Sequence, residues 1–351
     1  MEAVLADRLS AQRLTGVGFR TPDQAVAHLL AVQAQDPRGA RLSIRTRSSG
    51  GSAADVDAGL SERRALLITW LNRGTLHLVQ AEDYWWLQPL TTPQLAAGVA
   101  RRLAQTGVSA AEAEHGLDVI AEQVSTLGPR TRSELRAALD DAGVPTAGQA
   151  LVQILLTASI RGDLVRVPMR GAEHCFVSAE AWLGVRPEPL ERPAALARLA
   201  HRYLTGHGPA DARDLAKWAG ISISDARTAM AGIADELVEH AGGLVDLAGR
   251  QPARPLPSPR LLGPFDPLRH GWASRAFIVG RHEGIVTGNG LFRPFALVDG
   301  RAVATWDLAG GQVTIRPLER IDRAHLRALV TDAADVLRFL RLPPRSAVVL
   351  F

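Results

Sequence analysis

Gly128-Pro129-Arg130-Thr131-Arg132-Ser133-Glu134-Leu135 opens a pattern that returns eighty residues later, as Gly208-Pro209 followed by Asp214-Leu215. Each copy runs through a helix, a short Gly-containing turn, a second helix and a closing Leu-Val, at Leu164-Val165 and at Leu237-Val238. Thr131 to Glu134 and Thr146 to Gln149 both have the capping-box form, so both helix starts in the first copy are expected to be specified locally. Ala147, Leu151, Ile154, Leu155 and Ala158 recur at helical spacing and predict one inward face. A turn over Pro168 to Glu173 then leads to His174-Cys175-Phe176-Val177. Two helices followed by a short β-ribbon form the winged version of a helix-turn-helix, and the second copy repeats it with a weaker ribbon. Ordinary three-helix packing, with no nucleic acid, is the plainer alternative.

Beyond the second copy, Arg250 to Pro259 carries four prolines among polar residues and reads as a linker. The period then switches to two. Ala276 to Val279, Gly284 to Thr287, Leu291 to Val298, Ala302 to Trp306 and Gln312 to Arg316 predict strands. Gly288-Asn289-Gly290 and Asp299-Gly300 supply hairpin turns that need positive φ. Arg323 to Leu340 predicts a helix and Ser346 to Phe351 a last strand. This is a small α+β unit with an antiparallel sheet.

On the N-terminal side, Leu5 to Leu14 and Ser52 to Leu60 read as helices and Leu42 to Arg45 as a short extended piece. Thr69 to Val79 reads as a strand or hairpin arm bearing Arg73 and His77, which an ordinary sheet would also accommodate. Thr21-Pro22-Asp23-Gln24 starts a helix with a cap, a first-turn proline and a capping box. Its inward stripe of Val26, Leu29 and Leu30 extends to Gln33, a polar amide where an apolar side chain is expected. An unpaired buried amide costs on the order of 1–3 kcal/mol, so Gln33 either has a partner or faces a cavity. The plainer reading is that Gln33 tidies helix-end carbonyls while Gln35, just past the last turn before Pro37, is solvated.

At 351 residues, two or three domains are expected, at roughly 100–200 residues each. The net charge is only +4 and Lys217 is the sole lysine, so a nucleic-acid face must come from clustered arginines. Cys175 stands alone, which excludes intramolecular disulfides and thiolate zinc clusters and fits a reducing cytoplasm. No membrane span and no signal peptide are expected. HExxH, CxxC, Walker and nucleophile-elbow motifs are absent, and no metal or organic cofactor is expected.

Four stretches in register then resemble the AlkZ/YcaQ-like winged-helix DNA glycosylases. They are Gln33-Ala34-Gln35-Asp36-Pro37, Trp70 through His77, Leu262-Gly263-Pro264-Phe265-Asp266-Pro267, and Asn289 to Pro294 with Val298 to Arg301 and Trp306. The resemblance covers essentially the whole chain. It implies a mainly α protein with short β-hairpins (α+β), with tandem winged-helix modules in a C-shaped arrangement around DNA and a C-terminal antiparallel β-rich unit. On that template the modules fall at 1–105, 106–190 and 191–250, and the C-terminal unit at 260–351, with a lesion-recognition hairpin sought between Gly280 and Gly290.

The family's catalytic motif is Gln, a hydrophobic residue and Gln in the AlkZ branch, and Gln, hydrophobic, Asp in the YcaQ branch. Gln33-Ala34-Gln35 resembles the former, and Asp36 is out of register for the latter. The implied substrate is duplex DNA carrying N7-alkylguanine, including interstrand crosslinks, cut by a monomeric enzyme. Amides lack useful basicity but can hold a water and aim it at C1′. N7 alkylation has already made the guanine a good leaving group, so positioning and electrostatics suffice. Asp36 is the fallback base. Arg38, Arg41, Arg73, His77, Arg130, Arg132, Arg281, His282 and Arg293 are expected to contact the DNA, chiefly its phosphates. With no lysine near the site a Schiff base is not expected, so the glycosylase is monofunctional.

Two other readings remain at this point. A non-enzymatic winged-helix regulator would read undamaged sequence through its recognition helix, yet Ser224 to Ala234 offers only Arg227 for that purpose. A ligand-binding or protein-interaction scaffold would explain the modest charge.

Overall fold

The computed structural model describes residues 2–171, 173–251, 258–280, 282, 285 and 293–350. It begins with α1 (Glu2–Ala11) and α2 (Pro22–Leu29). Thr21 caps α2 in the expected way: its hydroxyl accepts from the Gln24 N–H while the Gln24 side chain accepts from the Thr21 N–H. The helix is shorter than its pattern suggests. Leu30 leaves it at φ 64 and ψ −50, and the Ala31 N–H donates to the Leu29 carbonyl at 2.8 Å, closing a γ-turn. Gln33 therefore lies on a two-residue strand, β1 (Val32–Gln33), and not on the helix stripe. Leu29 and Leu30 are both fully buried, and the turn lets two successive side chains enter the core where a helix would swing them about 100° apart.

Asp36-Pro37 then repeats the Thr21-Pro22 signal and starts α3 (Pro37–Arg45), with Asp36 as cap and Pro37 in the first turn. The extended piece expected at Leu42 to Arg45 is inside this helix. Its polar residues misled the reading because Arg41 and Arg45 are buried along with their apolar neighbours.

Next come α4 (Ala53–Ser61), the hairpin β2 (Leu66–Leu71) and β3 (Thr75–Gln80), α5 (Ala81–Thr91) and α6 (Ala96–Gln105). The first repeat follows as α7 (Ala110–Thr126), α8 (Arg132–Asp141), α9 (Ala150–Arg161), β4 (Leu164–Arg170) and β5 (Glu173–Ser178), then α10 (Ala179–Leu183). The second is α11 (Arg192–His207), α12 (Ala212–Ala219), α13 (Ile223–Ala231), β6 (Leu237–His240) and β7 (Leu244–Leu247). The two copies agree in detail. The residue after each Gly-Pro bridges the second ribbon strand, Arg130 to Phe176 in one and Ala210 to Val245 in the other. Thr131 and Glu134 form their capping box, but Thr146 does not: α9 starts at Ala150, and the Thr146 hydroxyl donates to Asp140 Oδ1 at 2.5 Å.

The C-terminal part comprises β8 (Arg260–Leu262), α14 (Pro267–His270), α15 (Ala276–Val279), β9 (Phe295–Val298), β10 (Arg301–Ala309), β11 (Gln312–Pro317), α16 (Arg323–Phe339) and β12 (Val348–Val349). The strand expected at Ala276 to Val279 is a single helical turn, since four apolar residues carry no period that separates the two. The sheet order is β12-β11-β10-β9-β8, antiparallel except for β12, which joins β11 in parallel. Asp299 and Gly300 take φ 48 and 77 in the β9–β10 turn, as a tight hairpin of right-handed twist requires. Leu329, Ala333, Val336 and Leu337 form one stripe of α16 against Leu261, Ala296, Ala304, Trp306 and Ile315 of the sheet, and Leu42 of α3 joins this core. The linker prolines at 252, 255 and 257, the Gly288 to Gly290 turn and, apart from Ile285, the strand expected over 284–287 lie outside the described residues.

The chain divides into two compact units, one of residues 1–56, 196–218 and 222–351, the other of 57–195 and 219–221. In the second, the strands run in the order β3-β2-β4-β5. Among the described residues, no helix is long and apolar enough to cross a membrane.

Candidate active site

Gln33 and Gln35 meet: Nε2 of Gln33 donates to Oε1 of Gln35 at 2.6 Å. Gln33 is buried, with 6% of its surface exposed, whereas Gln35 is exposed. This bond couples the orientations of the two amides, because turning one over requires turning the other. It leaves the buried Oε1 of Gln33 without a hydrogen bond among the described residues. Gln35, an exposed residue, keeps the second lone pair of Oε1 and its NH2 out of this bond. The pair follows directly on the γ-turn at Leu30, a conformation that costs a non-glycine residue on the order of 1–3 kcal/mol.

Asp36 has a structural task. Its Oδ1 accepts from the Gly39 N–H at 2.5 Å, capping α3. What anchors that helix is the stretch Leu262 to Pro267. Gly39 lies so close to it that a Cβ there would stand 2.5 Å from the Pro264 carbonyl oxygen, and a Cβ on Gly263 would stand 3.2 Å from the Gly39 Cα. Trp306 donates from Nε1 to the Leu262 carbonyl at 2.9 Å and holds the same segment from the other side. The helix that starts at Asp36 and the Trp306 side chain thus both pack on the Leu262 to Pro267 stretch, within one unit. Gly39→Ala is expected to lower stability by roughly 1–3 kcal/mol in urea denaturation and to reduce excision with it, since the displaced helix starts at Asp36. An alanine variant as stable as the parent would contradict this packing.

The residues that hold this frame were not singled out by the sequence reading. Arg47, fully buried, donates to both oxygens of Asp266 at 2.9 Å, to Gln12 Oε1 at 2.7 Å and to the Ser43 carbonyl at 2.9 Å. Arg45 binds Asp332 and Asp335 of α16 at 2.8 to 3.0 Å and the Leu261 carbonyl at 2.7 Å. Asp266 stood inside a quoted motif, but its partner is 219 residues away. Only the folded chain reveals that distance.

The expected DNA contacts fare differently from one another. Arg38 is exposed and donates to the Leu308 carbonyl at 3.3 Å. Arg41 is buried and donates to the Pro37 carbonyl at 2.8 Å, so its guanidinium faces inward as the protein stands. Arg73, half-buried, occupies the β2–β3 turn. His77 is 3% exposed, with Nδ1 at 2.8 Å from the Thr75 carbonyl, and burial followed by Arg73 pulls its imidazole down to about 3. It is neutral near pH 7 and offers no charge to a phosphate. Arg132 is exposed at the start of α8, and Arg130 lies 3.8 Å from Glu134 Oε1. Arg166 on β4, which the sequence reading passed over, stacks 5.4 Å from the Phe176 ring, and burial, then Arg132, pulls it down to about 10. His282 meets Glu319 at 2.9 Å, and Arg293 is exposed. Arg281 and most of the segment from 280 to 290 lie outside the described residues. Among the described residues, no group of three His, Cys, Asp or Glu side chains could hold a metal ion.

Two further histidines of the first unit, the half-buried His28 and the fully buried His207, are also shifted. Burial pulls His28 down to about 4 and His207 to about 3. With His77, these groups are neutral in the folded chain but protonate near 6.5 when unfolded, so the unfolded state binds more protons below that pH. Their contribution is complete above pH 6.5 and is lost as pH falls toward 3 to 4. The urea midpoint is expected to drop between pH 7.5 and 5.5, before most carboxylates titrate; a flat midpoint there would contradict it.

The family profile "DNA glycosylase AlkZ-like" matches residues 26–339, most of the chain and including the amide pair, α3 and strands β8 to β11 of the C-terminal sheet. The chain belongs to the AlkZ-like DNA glycosylase family. As a glycosylase it hydrolyses N-glycosyl bonds. The "Interstrand DNA cross-link repair glycosylase" of Streptomyces sahachiroi is 26% identical over 97% of this chain and 98% of its own length. The solved structure of S. sahachiroi DNA glycosylase AlkZ superposes with a TM-score of 0.80 at 22% identity, over 99% of each chain, which establishes that the glycosylase shares its fold. Membership of this family does not favour the regulator reading.

Proposed function

We propose that this glycosylase excises N7-alkylguanine from duplex DNA by monofunctional hydrolysis, and that it can unhook interstrand crosslinks, the lesion for which its S. sahachiroi relative is named. The observation that carries this reading is the hydrogen bond between the two amides. A buried glutamine that spends its NH2 on a neighbouring glutamine and leaves its own carbonyl without a donor is a net cost to the fold. That cost makes sense if Gln35 must be held in one orientation. In this reading Gln35 touches the attacking water through the free lone pair of Oε1, and Gln33 sets the direction.

The chemistry asks little more of the protein. N7 alkylation makes the guanine cationic, so it departs as a neutral base, and the developing positive charge lies on the sugar. An oriented water and carbonyl dipoles facing that charge lower the barrier without a strong base. Neutral amides also avoid repelling neighbouring phosphates, as carboxylates would not. Asp36, engaged in capping α3, is assigned to structure. We place the phosphate contacts on the exposed Arg38 and Arg132, in the winged-helix modules at 1–105 and 106–190, and on the exposed Arg293, in the C-terminal unit at 260–351, with a third winged-helix module at 191–250.

The experiment is base release from matched duplexes containing N7-methylguanine or guanine, followed by chromatography, with borohydride added in parallel. Release from the methylated duplex alone, with no trapped protein–DNA adduct, is expected. Absence of release, or a covalent imine, would overturn the reading.

A further inference from the structure

We infer that a basic pocket between α1, α2, α11 and β7, which does not involve Gln33 or Gln35, binds a phosphate-type oxyanion. The pocket has a volume of about 380 Å³ and is lined by Ser10, Arg13, Thr15, His28, Thr205 and the 247–251 segment with Arg250. No carboxylate is among the described residues that line it. Two guanidinium groups and three hydroxyls line it, of which the Thr205 hydroxyl donates to the His201 carbonyl at 2.9 Å and Arg250 donates within the protein, so the donors left for a guest are chiefly Arg13, Thr15 and Ser10.

Three features argue for an anionic guest. Thr15 is 3% exposed, and its hydroxyl is buried with no hydrogen-bond partner among the described residues. A buried hydroxyl of this kind normally finds an acceptor. Arg13 is exposed, at φ 54 just beyond α1, and forms no ion pair among the described residues. Its guanidinium carbon lies 5.2 Å from the centre of the Phe19 ring, a contact that biases the cation toward this position. Arg250 is fixed as the opposite wall by Asp246 Oδ2 at 2.7 Å and by the carbonyls of Leu204 and Thr205. His28 donates from Nε2 to the Ala11 carbonyl at 2.6 Å and is neutral near pH 7, so it adds no charge of either sign. A phosphate group, with several acceptor oxygens, satisfies Thr15 and Arg13 together. Such a group could come from a duplex backbone or from a free phosphorylated molecule.

The test titrates the full-length protein with inorganic phosphate at constant ionic strength, balanced with chloride, and follows thermal unfolding. A saturable rise in Tm is expected for the parent and for Gln35→Ala. Arg13→Gln changes an exposed side chain and Thr15→Val is isosteric, so both should fold. Each is expected to raise the phosphate concentration needed for half the effect by roughly tenfold. Binding of undamaged duplex separates the two sources. For a backbone phosphate, Arg13→Gln lowers the slope of log K against log salt by about one; for a free phosphate it leaves the slope unchanged while the phosphate effect is still lost. Superimposable phosphate titrations of the parent and both variants would overturn the inference. Because excision is not measured, its outcome is independent of the proposed chemistry.

Discussion

Gln35→Ala is expected to lower single-turnover release of N7-methylguanine by about 10²- to 10³-fold, the usual effect of removing one group that positions or stabilises the reacting atoms. Gln35 is exposed and caps nothing, but its loss takes the acceptor from the buried Gln33 Nε2, so stability should fall by only roughly 1–3 kcal/mol, with the fold intact. Duplex affinity should change little, because the lost contact is to water and not to phosphate. Gln33→Ala should lose a similar factor by a different route. Without the Nε2 donor, Gln35 regains rotamer freedom, and a water held at several angles attacks rarely. A loss of activity that merely follows a loss of folding would point instead to a structural role.

Asp266→Ala is expected to lower folding stability by about 3–5 kcal/mol, because it strands the buried Arg47 without a counter-charge. Both side chains have no exposed surface, and the two 2.9 Å bonds join the turn just after α3 to the cap of α14. Urea or guanidinium denaturation measures the effect. Replacing both partners by apolar residues, Arg47→Met with Asp266→Leu, should recover much of the loss, since it removes the desolvated charge along with its partner. A variant with Asp266 alone replaced and no change in midpoint would show that the frame behind the amide pair does not depend on this contact.

Much of the fold was legible because local chemistry and burial agree there. Thr21-Pro22 and Thr131-Glu134 specify their helix starts, Asp299-Gly300 specifies its turn, and the stripe Leu329, Ala333, Val336 and Leu337 specifies the face of α16. The repeat was legible for the same reason, down to the matching bridges at Arg130 and Ala210. The course of the chain through the amide pair was not. Asp36-Pro37 carries the same start signal as Thr21-Pro22, but a continuing apolar stripe made Pro37 look like a stop. The γ-turn at Leu30 has no signature, because a strained leucine is set by its surroundings and not by its neighbours in sequence. In α3, Arg41 and Arg45 are buried beside Leu42 and Ile44. Periodicity assumes that charge marks the solvent side, and buried ion pairs defeat it.

Gln33 was found as an anomaly, a polar group aimed at the core, and it is buried although a strand and not a helix carries it, while Gln35 follows in the loop and is exposed. Their mutual hydrogen bond could not be foreseen, since residues two apart on a helix do not face each other, whereas on a strand and the loop after it they can.

The double-mutant cycle over Gln33 and Gln35 tests the water-positioning pair most directly. Single-turnover excision of N7-methylguanine is measured for the parent, Gln33→Ala, Gln35→Ala and the double variant. If the two amides act as one device, the double variant should be no slower than Gln35→Ala to within about threefold. Losses that multiply, or single variants that excise at the parent rate, would contradict it.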